Sequence, residues 1–478
     1  MIQRVALPLV NWLRDRLGVD PLLAFLANHK VPASLGGRAG WMYVFGMCLV
    51  AAFAVQLVSG VALTTVYVPS ATLAHDSIRY ITEDMPFGAI LRGLHFYGAS
   101  AMVLLVLVHM LQVYLAGAYK YPREMNWISG VVLLVLVMAM ALTGQMLRWD
   151  EDGLWTVVVA AKFVARVPLL GPYLTEFVLG GPTVGGATLT RFYALHVFVL
   201  PGLIIGLVSL HMYLALHHGV SEPPTTGQPV DPATYKAKYQ ALKARGIPYF
   251  PDVAWKEIVA AVAVVVVIVG LTLAFGPKAL GSPPDPTQAF ADPRPDWFVR
   301  WYYAFLYLKP RGLESFAMVY LPILVVLGLI LLPILRPAGE RSLWRRPWAV
   351  VIAGAVVLAL GTLTVMGMRA PWAPAYDTQP LGSAELGDAP PEVLAGAQTF
   401  HARGCQYCHV VLGEGGRYGP DLTEVAARIT PPELTVRIVQ GHGQDMPAYV
   451  GILSDDELAR IVAFLQALPA RRDQPGMR

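Results

Sequence analysis

The chain has 478 residues, of which 55% are hydrophobic and only 14% charged, and its 36 basic and 32 acidic side chains leave a formal net charge of +4. Soluble globular domains carry about 25% charged residues, so this composition excludes a soluble multidomain protein. A charge this small, distributed by topology along the chain, indicates no nucleic-acid partner. The expected class is an all-α integral membrane protein.

Residues 1–40 carry interspersed charge and no small-residue cleavage site, so no cleavable signal peptide is read there. They suit an amphipathic helix on the membrane surface, including 7–17. Apolar runs long enough to cross about 30 Å of hydrocarbon follow at 41–67, 88–117, 126–148, 190–216, 255–275, 316–335 and 348–368. Seven spans place the two ends of the chain on opposite sides. Lys120, Arg123, the run from Lys236 to Arg245, and Arg341, Arg345 and Arg346 all fall on the amino-terminal side. The positive-inside rule makes that side cytoplasmic and the carboxyl-terminal part exported.

His95 and His109 lie fourteen residues apart in the second run, and His196 and His211 fifteen apart in the fourth. At 1.5 Å and 100° per residue, either spacing returns to nearly the same helix face about 21 to 22 Å further on. A polar ring in hydrocarbon is costly and is usually functional. Two such helices side by side are therefore expected to clamp two flat cofactors at different depths, and haem iron with an imidazole on each side suits the pattern. Gly46 and Gly60 on the first run, and Gly130 and Gly144 on the third, repeat the fourteen-residue period. Missing side chains at that interval leave room for flat rings. Arg92 and Arg191 precede His95 and His196 by three and five residues, placed either to reach haem propionates or to snorkel at the membrane rim.

The exported tail carries Cys405-Gln406-Tyr407-Cys408-His409, the attachment pattern of a c-type haem, with two thioethers and an axial imidazole. Met446, 37 residues after His409, is the expected sixth ligand, with His442 and His401 as rivals. A helix is expected over 391–403 with Gly396 and Phe400 on one face. A turn at 419–422 offers a carbonyl to the second nitrogen of His409. A capping box from Ser454 to Glu457 opens a closing helix. Over about 387–470 this segment resembles class I cytochrome c domains. Its haem has to be attached outside the cytoplasm, which agrees with the charge rule.

Residues 1–368 resemble the cytochrome b family of quinol-oxidising cytochrome bc and plastid-type complexes. The resemblance is carried by Leu-Arg-Gly-Leu-His at 91–95, Thr-Leu-Thr-Arg-Phe-Tyr-Ala-Leu-His at 188–196, and Pro295-Asp296-Trp297-Phe298. It implies two haem b groups, His95 and His196 on the exported-side one and His109 and His211 on the cytoplasmic-side one. The fifteen-residue gap and the three later spans look like a plastid-type cytochrome b fused to its subunit IV, with a cytochrome c appended. The implied division is a surface segment over 1–40, a four-helix di-haem domain over 41–220, a cytoplasmic linker over 221–254, a three-helix subunit IV-like part over 255–368, a tether over 369–386 and a cytochrome c domain over 387–478. The membrane implied is the bacterial inner membrane.

The family places its quinol oxidation pocket at the loop holding Pro295 to Phe298, where Asp296 and Phe298 stand for the commoner glutamate and tyrosine. A carboxylate beside an apolar cleft can accept a quinol proton, which makes Asp296 the expected acceptor, with Pro295, Trp297 and Phe298 around it. This version is similar to those of menaquinol users. The family's Gly-Tyr-x-Leu-Pro-Trp at the end of span three is replaced by Gly144-Gln145-Met146-Leu147-Arg148-Trp149, which sets a charge beside the pocket. Val44 occupies the position of the plastid-type haem cysteine, so Cys48, one turn deeper, is read as a core residue with no extra haem. His217, His218, Lys236 and Asp231 are cytoplasmic-side candidates for relaying protons to a quinone, or solvated loop residues; His29 and His75 are assigned nothing.

The resemblance implies a quinol:cytochrome c oxidoreductase subunit, coupled to proton translocation, in a homodimeric complex. No second cysteine set remains for an iron–sulfur cluster, so a separate Rieske protein is implied, and a soluble cytochrome or terminal oxidase as acceptor. The alternative reading is a membrane haem anchor joining a dehydrogenase or hydrogenase to quinone.

Overall fold

The computed structural model describes residues 28–284, 294–310, 312–370, 378–441 and 448–468, together with 12, 14–18, 20, 21, 372, 374, 375 and 446. Residues 7–11 and 13 of the expected surface helix, and the rival ligand His442, lie outside the described residues. Seven described helices are long and apolar enough to span a membrane: Phe45–Thr64, Gly88–Leu115, Glu124–Met146, Gly186–His218, Ala254–Phe275, Phe316–Leu335 and Pro347–Arg369. The all-α expectation holds, the described strands being one two-residue pair, Lys30–Val31 against Ile247–Pro248.

The chain divides into two compact units, Met1–Pro286 with Phe305–Thr362, and Thr287–Ala304 with Leu363–Arg478. In the first, span one packs along span two, and span five lies against both; span three packs on spans two, four and six. Small residues set these approaches. A Cβ at Gly98 of span two would run into Gln56 Nε2 of span one, and one at Gly93 would lie 2.6 Å from Thr272 of span five.

Span four is not a uniform α-helix. Residues Leu195–Val199 form a wide π turn, in which Leu200 N–H donates to the Leu195 carbonyl five residues back. Pro201 follows directly; a proline ring clashes with the carbonyl four residues before it, and the wider turn relieves that clash. Span six repeats the device, with a π turn at Phe316–Tyr320 ahead of Pro322. In span four the turn takes up one residue, which is why fifteen residues from His196 to His211 do the work of fourteen in span two.

Of the cationic residues from which the orientation is read, Lys236, Lys238, Arg245 and Arg345 are exposed, whereas four are withdrawn into the protein. Arg123, Arg341, Arg346 and Lys120 are all buried. Arg123 donates to the Gly219 carbonyl and to Tyr235 Oη at 2.9 and 2.8 Å, and Arg341 meets Glu222 at 2.7 Å and the Ala116 carbonyl at 3.3 Å. They fasten the segments that follow spans two, four and six to one another. Burial, and then Arg346, Arg336 and Arg341, pull the Lys120 ammonium down to about 8. Lys256, also buried, donates to the carbonyls of Leu35, Gly36 and Gly37 at 2.9, 2.5 and 2.7 Å, which ties the start of span five to the segment before span one.

In the second unit, helix Pro391–Ala402 crosses helix Asp455–Gln466 at Gly396, whose missing side chain lets the Arg460 carbonyl and Phe464 approach. Phe400 and Phe464 rings lie 5.5 Å apart in the core beneath. Ser454 accepts from Glu457 N–H at 3.3 Å while the Glu457 carboxylate accepts from Ser454 N–H at 3.0 Å, the expected capping box.

Candidate functional site

The four transmembrane histidines face the four glycines. A Cβ built at Gly60 would lie 3.2 Å from His95 Cε1, at Gly144 2.7 Å from His196 Cε1, at Gly130 3.5 Å from His211 Cε1, and at Gly46 4.0 Å from His109 Cε1. Each glycine of spans one and three therefore makes space for one imidazole of spans two and four. His95 and His196 pair across the bundle, ring centres 6.2 Å apart and planes 75° apart. Two metal–imidazole bonds of about 2 Å, with roughly 1 Å from each ring centre to its nitrogen, span about 6 Å. The gap fits one iron.

Which nitrogen faces the gap follows from the hydroxyls. His95 Nδ1 lies 3.0 Å from Ser59 Oγ, His196 Nδ1 3.0 Å from Thr143 Oγ1, and His211 Nδ1 2.8 Å from Ser129 Oγ. Each hydroxyl already donates its own proton along its helix: Ser59 to the Val55 carbonyl at 2.6 Å, Thr143 to Ala139 at 2.8 Å, Ser129 to Asn126 at 3.0 Å. A hydroxyl has one proton to give, so toward the imidazole it accepts. Nδ1 then carries the hydrogen, and the Nε2 lone pair is left for a metal. Two amides complete the cradle, Gln56 Nε2 donating to the His95 carbonyl at 3.0 Å and Asn126 Nδ2 to the His211 carbonyl at 3.3 Å. The five side chains were missed by reading the sequence. The thrice-repeated dipeptide Ser59-Gly60, Ser129-Gly130 and Thr143-Gly144 is the signal that finds three of them.

Arg92 donates to Thr82 Oγ1 at 2.9 Å and to the Lys278 carbonyl at 2.7 Å. The Arg191 guanidinium sits over the Phe177 ring, 5.4 Å from its centre, and donates to the Glu176 and Phe177 carbonyls. The carbonyls left over at the end of helix Gly171–Leu179 hold it there. Cys48 is buried in the helix interface, 3% exposed. Arg148 brings no free charge, because Asp150 and Asp152 meet it at 2.6 and 3.0 Å. Asp150, fully buried, also caps helix Glu151–Ala165 through Gly153 N–H at 2.9 Å and accepts from Gly281 N–H at 3.0 Å. Gln145 donates to Thr156 at 3.3 Å.

Among the cytoplasmic-side candidates, Asp231 is taken up by its own turn, accepting from Ala233 N–H and Thr234 Oγ1 at 3.0 Å each. Lys236 lies over the Tyr121 ring, and His217 and His218 stack edge to face, 4.9 Å between centres. His75 reaches the Gly281 carbonyl at 2.9 Å, and His29 packs edge-on against Tyr249.

In the second unit, Cys405–Cys408 form a single helical turn, and His409 N–H returns to the Cys405 carbonyl at 3.0 Å. That bond closes the backbone of the five-residue motif into one compact turn. His409 Nδ1 lies 2.8 Å from the Pro420 carbonyl, which only accepts, so its Nε2 is again the free nitrogen. Burial lowers the His409 imidazole below its ordinary range against the pull of that carbonyl. Met446 packs partly buried on the same core, whereas His401 Nε2 is bonded to the Thr378 carbonyl at 2.8 Å. Pro295 to Phe298 form the turn that leads into helix Arg300–Leu308: the Asp296 carbonyl accepts from Val299 N–H at 2.9 Å, and Phe298 from Trp301 Nε1 at 3.0 Å.

A bundle of membrane-length helices that pairs His95 with His196 across its interior, in a chain that also carries a Cys-x-x-Cys-His turn, has the make-up of a membrane cytochrome of b and c type. Comparison with known proteins agrees. Residues 33–219 match the profile described as cytochrome b/b6/petB, and residues 391–465 that of cytochrome c oxidase, cbb3-type, subunit III. The menaquinol:cytochrome c reductase cytochrome b subunit of Geobacillus thermodenitrificans is 37% identical over 219 residues, 45% of this chain and 98% of that one. Cytochrome b6 of Prochlorococcus marinus (strain NATL1A) is 36% identical over 216 residues, 45% and 97% of the two chains. A solved chain described as hyperthermophilic respiratory Complex III superposes with a TM-score of 0.62 at 28% identity, covering 75% of this chain and 91% of that one. The chain belongs to the cytochrome b/b6 family and ends in a cbb3-type cytochrome c domain.

Proposed function

We propose that this chain is the fused cytochrome b and c subunit of a bc-type quinol:cytochrome c oxidoreductase, with two haem b groups and one haem c, coupled to proton translocation in a homodimeric inner-membrane complex. The observation that carries the reading is the set of imidazoles whose Nδ1 atoms are committed to hydroxyls while glycines clear the space around their rings. His95 with His196, and His109 with His211, would hold the two b haems; Cys405, Cys408, His409 and Met446 would hold haem c. When bound, these groups supply one-electron transfer across the membrane and outward to a soluble cytochrome or terminal oxidase. Arg92 would pair with a propionate of the exported-side haem. The three cysteines are spoken for, so the Rieske cluster is assigned to a separate protein.

Asp296 is the proposed proton acceptor from quinol, menaquinol included, on the exported side, with Pro295, Trp297 and Phe298 shaping the pocket around it. General-base catalysis contributes typically 10²–10⁴-fold. Asp296→Asn is expected to lower quinol-dependent cytochrome c reduction by at least about 100-fold in the holo-complex while haem content stays unchanged; undiminished turnover moves the acceptor elsewhere. The cofactor count is checked by pyridine haemochrome analysis of the purified chain, expected at two haem b per haem c. Any other ratio reassigns the ligands.

A further inference from the structure

Three of the four b-type histidines share an arrangement that the fourth lacks. Ser59, Ser129 and Thr143 each immediately precede the glycine that faces their histidine, and each accepts the Nδ1 hydrogen of that histidine. The fourth glycine, Gly46, is preceded by Phe45. His109, which Gly46 faces, has a buried Nδ1 with no hydrogen-bond partner among the described residues. The sequence break and the orphaned nitrogen are separate observations on one ring.

An oxygen that accepts from Nδ1–H pushes electron density toward Nε2, makes the imidazole a more basic ligand and favours the oxidised, more positive iron. Where that acceptor is missing the ligand is a weaker donor, the ferrous state is favoured, and the ring is also less firmly oriented. Resting on the bis-histidine reading above, we propose that Ser59, Thr143 and Ser129 are positioning residues that tune the haem ligands, and that Phe45, standing where the fourth hydroxyl would be, leaves the His109/His211 site with one hydroxyl-anchored ring instead of two and so raises its reduction potential.

The test is potentiometry with optical and low-temperature EPR detection on the purified, haem-loaded full chain. Phe45→Ser supplies the absent acceptor and is expected to shift one haem b midpoint downward, leaving the other haem b and haem c where they were. Ser129→Ala removes the remaining acceptor of the same site and is expected to move that same haem upward, with a changed EPR g-anisotropy; Ser129→Thr restores it. Phe45→Ser opens space in a half-buried position, so the Ser129 pair keeps the proposal testable should that variant fold poorly. Two results overturn the proposal: no midpoint or EPR change in Ser129→Ala at full haem content, or opposite variants acting on different haems. A haem b to haem c ratio other than two to one in the unaltered protein instead overturns the underlying haem assignment, so the two failures are told apart.

Discussion

Gly144→Ala is expected to cost the protein one haem b, whereas Gly46→Ala keeps all three haems. The two substitutions add the same methyl group opposite a histidine of a neighbouring helix. At Gly144 that methyl would lie 2.7 Å from His196 Cε1, 3.3 Å from Nε2 and 3.4 Å from Nδ1, pressing on the whole edge of the ring. The imidazole has little freedom to give way, because Nδ1 is held by Thr143 one residue from the substitution. At Gly46 the methyl would sit 4.0 Å from His109 Cε1, an ordinary contact, beside a ring whose Nδ1 has no hydroxyl anchor. Overpacking a close-packed interior costs about 1–3 kcal/mol, and each 1.4 kcal/mol is about tenfold in binding. Haem retention at the His95/His196 site should accordingly fall roughly five- to 150-fold in Gly144→Ala, bringing the purified protein toward one haem b per haem c. Gly60→Ala at 3.2 Å and Gly130→Ala at 3.5 Å should fall between, in that order. Haemochrome ratios of the four variants check the series; equal ratios in all four would mean that these glycines serve helix packing alone.

The membrane core was legible because its signals are local and periodic. Apolar length marks the seven spans within a few residues, and histidine and glycine at matching intervals mark the slots before any fold is known. What was missed depends on partners far along the chain or on a rule applied to the wrong length. Helix Glu151–Ala165 has an N-cap aspartate and two acids in its first turn, yet its apolar stretch is too short to cross a membrane and so passed unnoticed. Arg148 looked like an unbalanced charge; its neutralisation by Asp150 and Asp152 needs the chain to turn into that helix, and Asp150 is held in turn by Gly281, 131 residues away. Lys256 reads as a stray charge at the start of a span until three carbonyls 219 to 221 residues earlier are folded against it. The π turn at His196 had a visible cause in Pro201, and the extra residue between His196 and His211 was its trace. In the tail, the Pro420 carbonyl was legible as a partner for His409 because turn chemistry and ligand chemistry act within a dozen residues.

Gly419→Val is expected to leave haem c covalently attached while disturbing its axial ligation. Gly419 lies flat on the His409 ring, where a Cβ would fall 2.5 Å from Cε1, 2.6 Å from Nδ1 and 3.0 Å from Nε2. No rotation about the ring's own bonds clears three of its atoms at once while Nδ1 stays bonded to the Pro420 carbonyl one residue on. A branched side chain therefore has to displace the imidazole, break that 2.8 Å bond or shift the turn. Overpacking of this kind costs about 1–3 kcal/mol, and losing a buried hydrogen bond adds about 1–3 kcal/mol more. Thioether formation uses Cys405 and Cys408, on a separate helical turn, so the haem should remain bound through denaturing electrophoresis and stain for peroxidase activity. The reduced α-band of haem c should weaken or shift as the low-spin fraction drops, and cytochrome c reduction should fall with it. The b-haem spectrum is the internal control, since its ligands belong to the other unit. An unaltered α-band in Gly419→Val would show that the ring of His409 is not held where this turn puts it, and a loss of covalent haem would show that the turn also serves attachment.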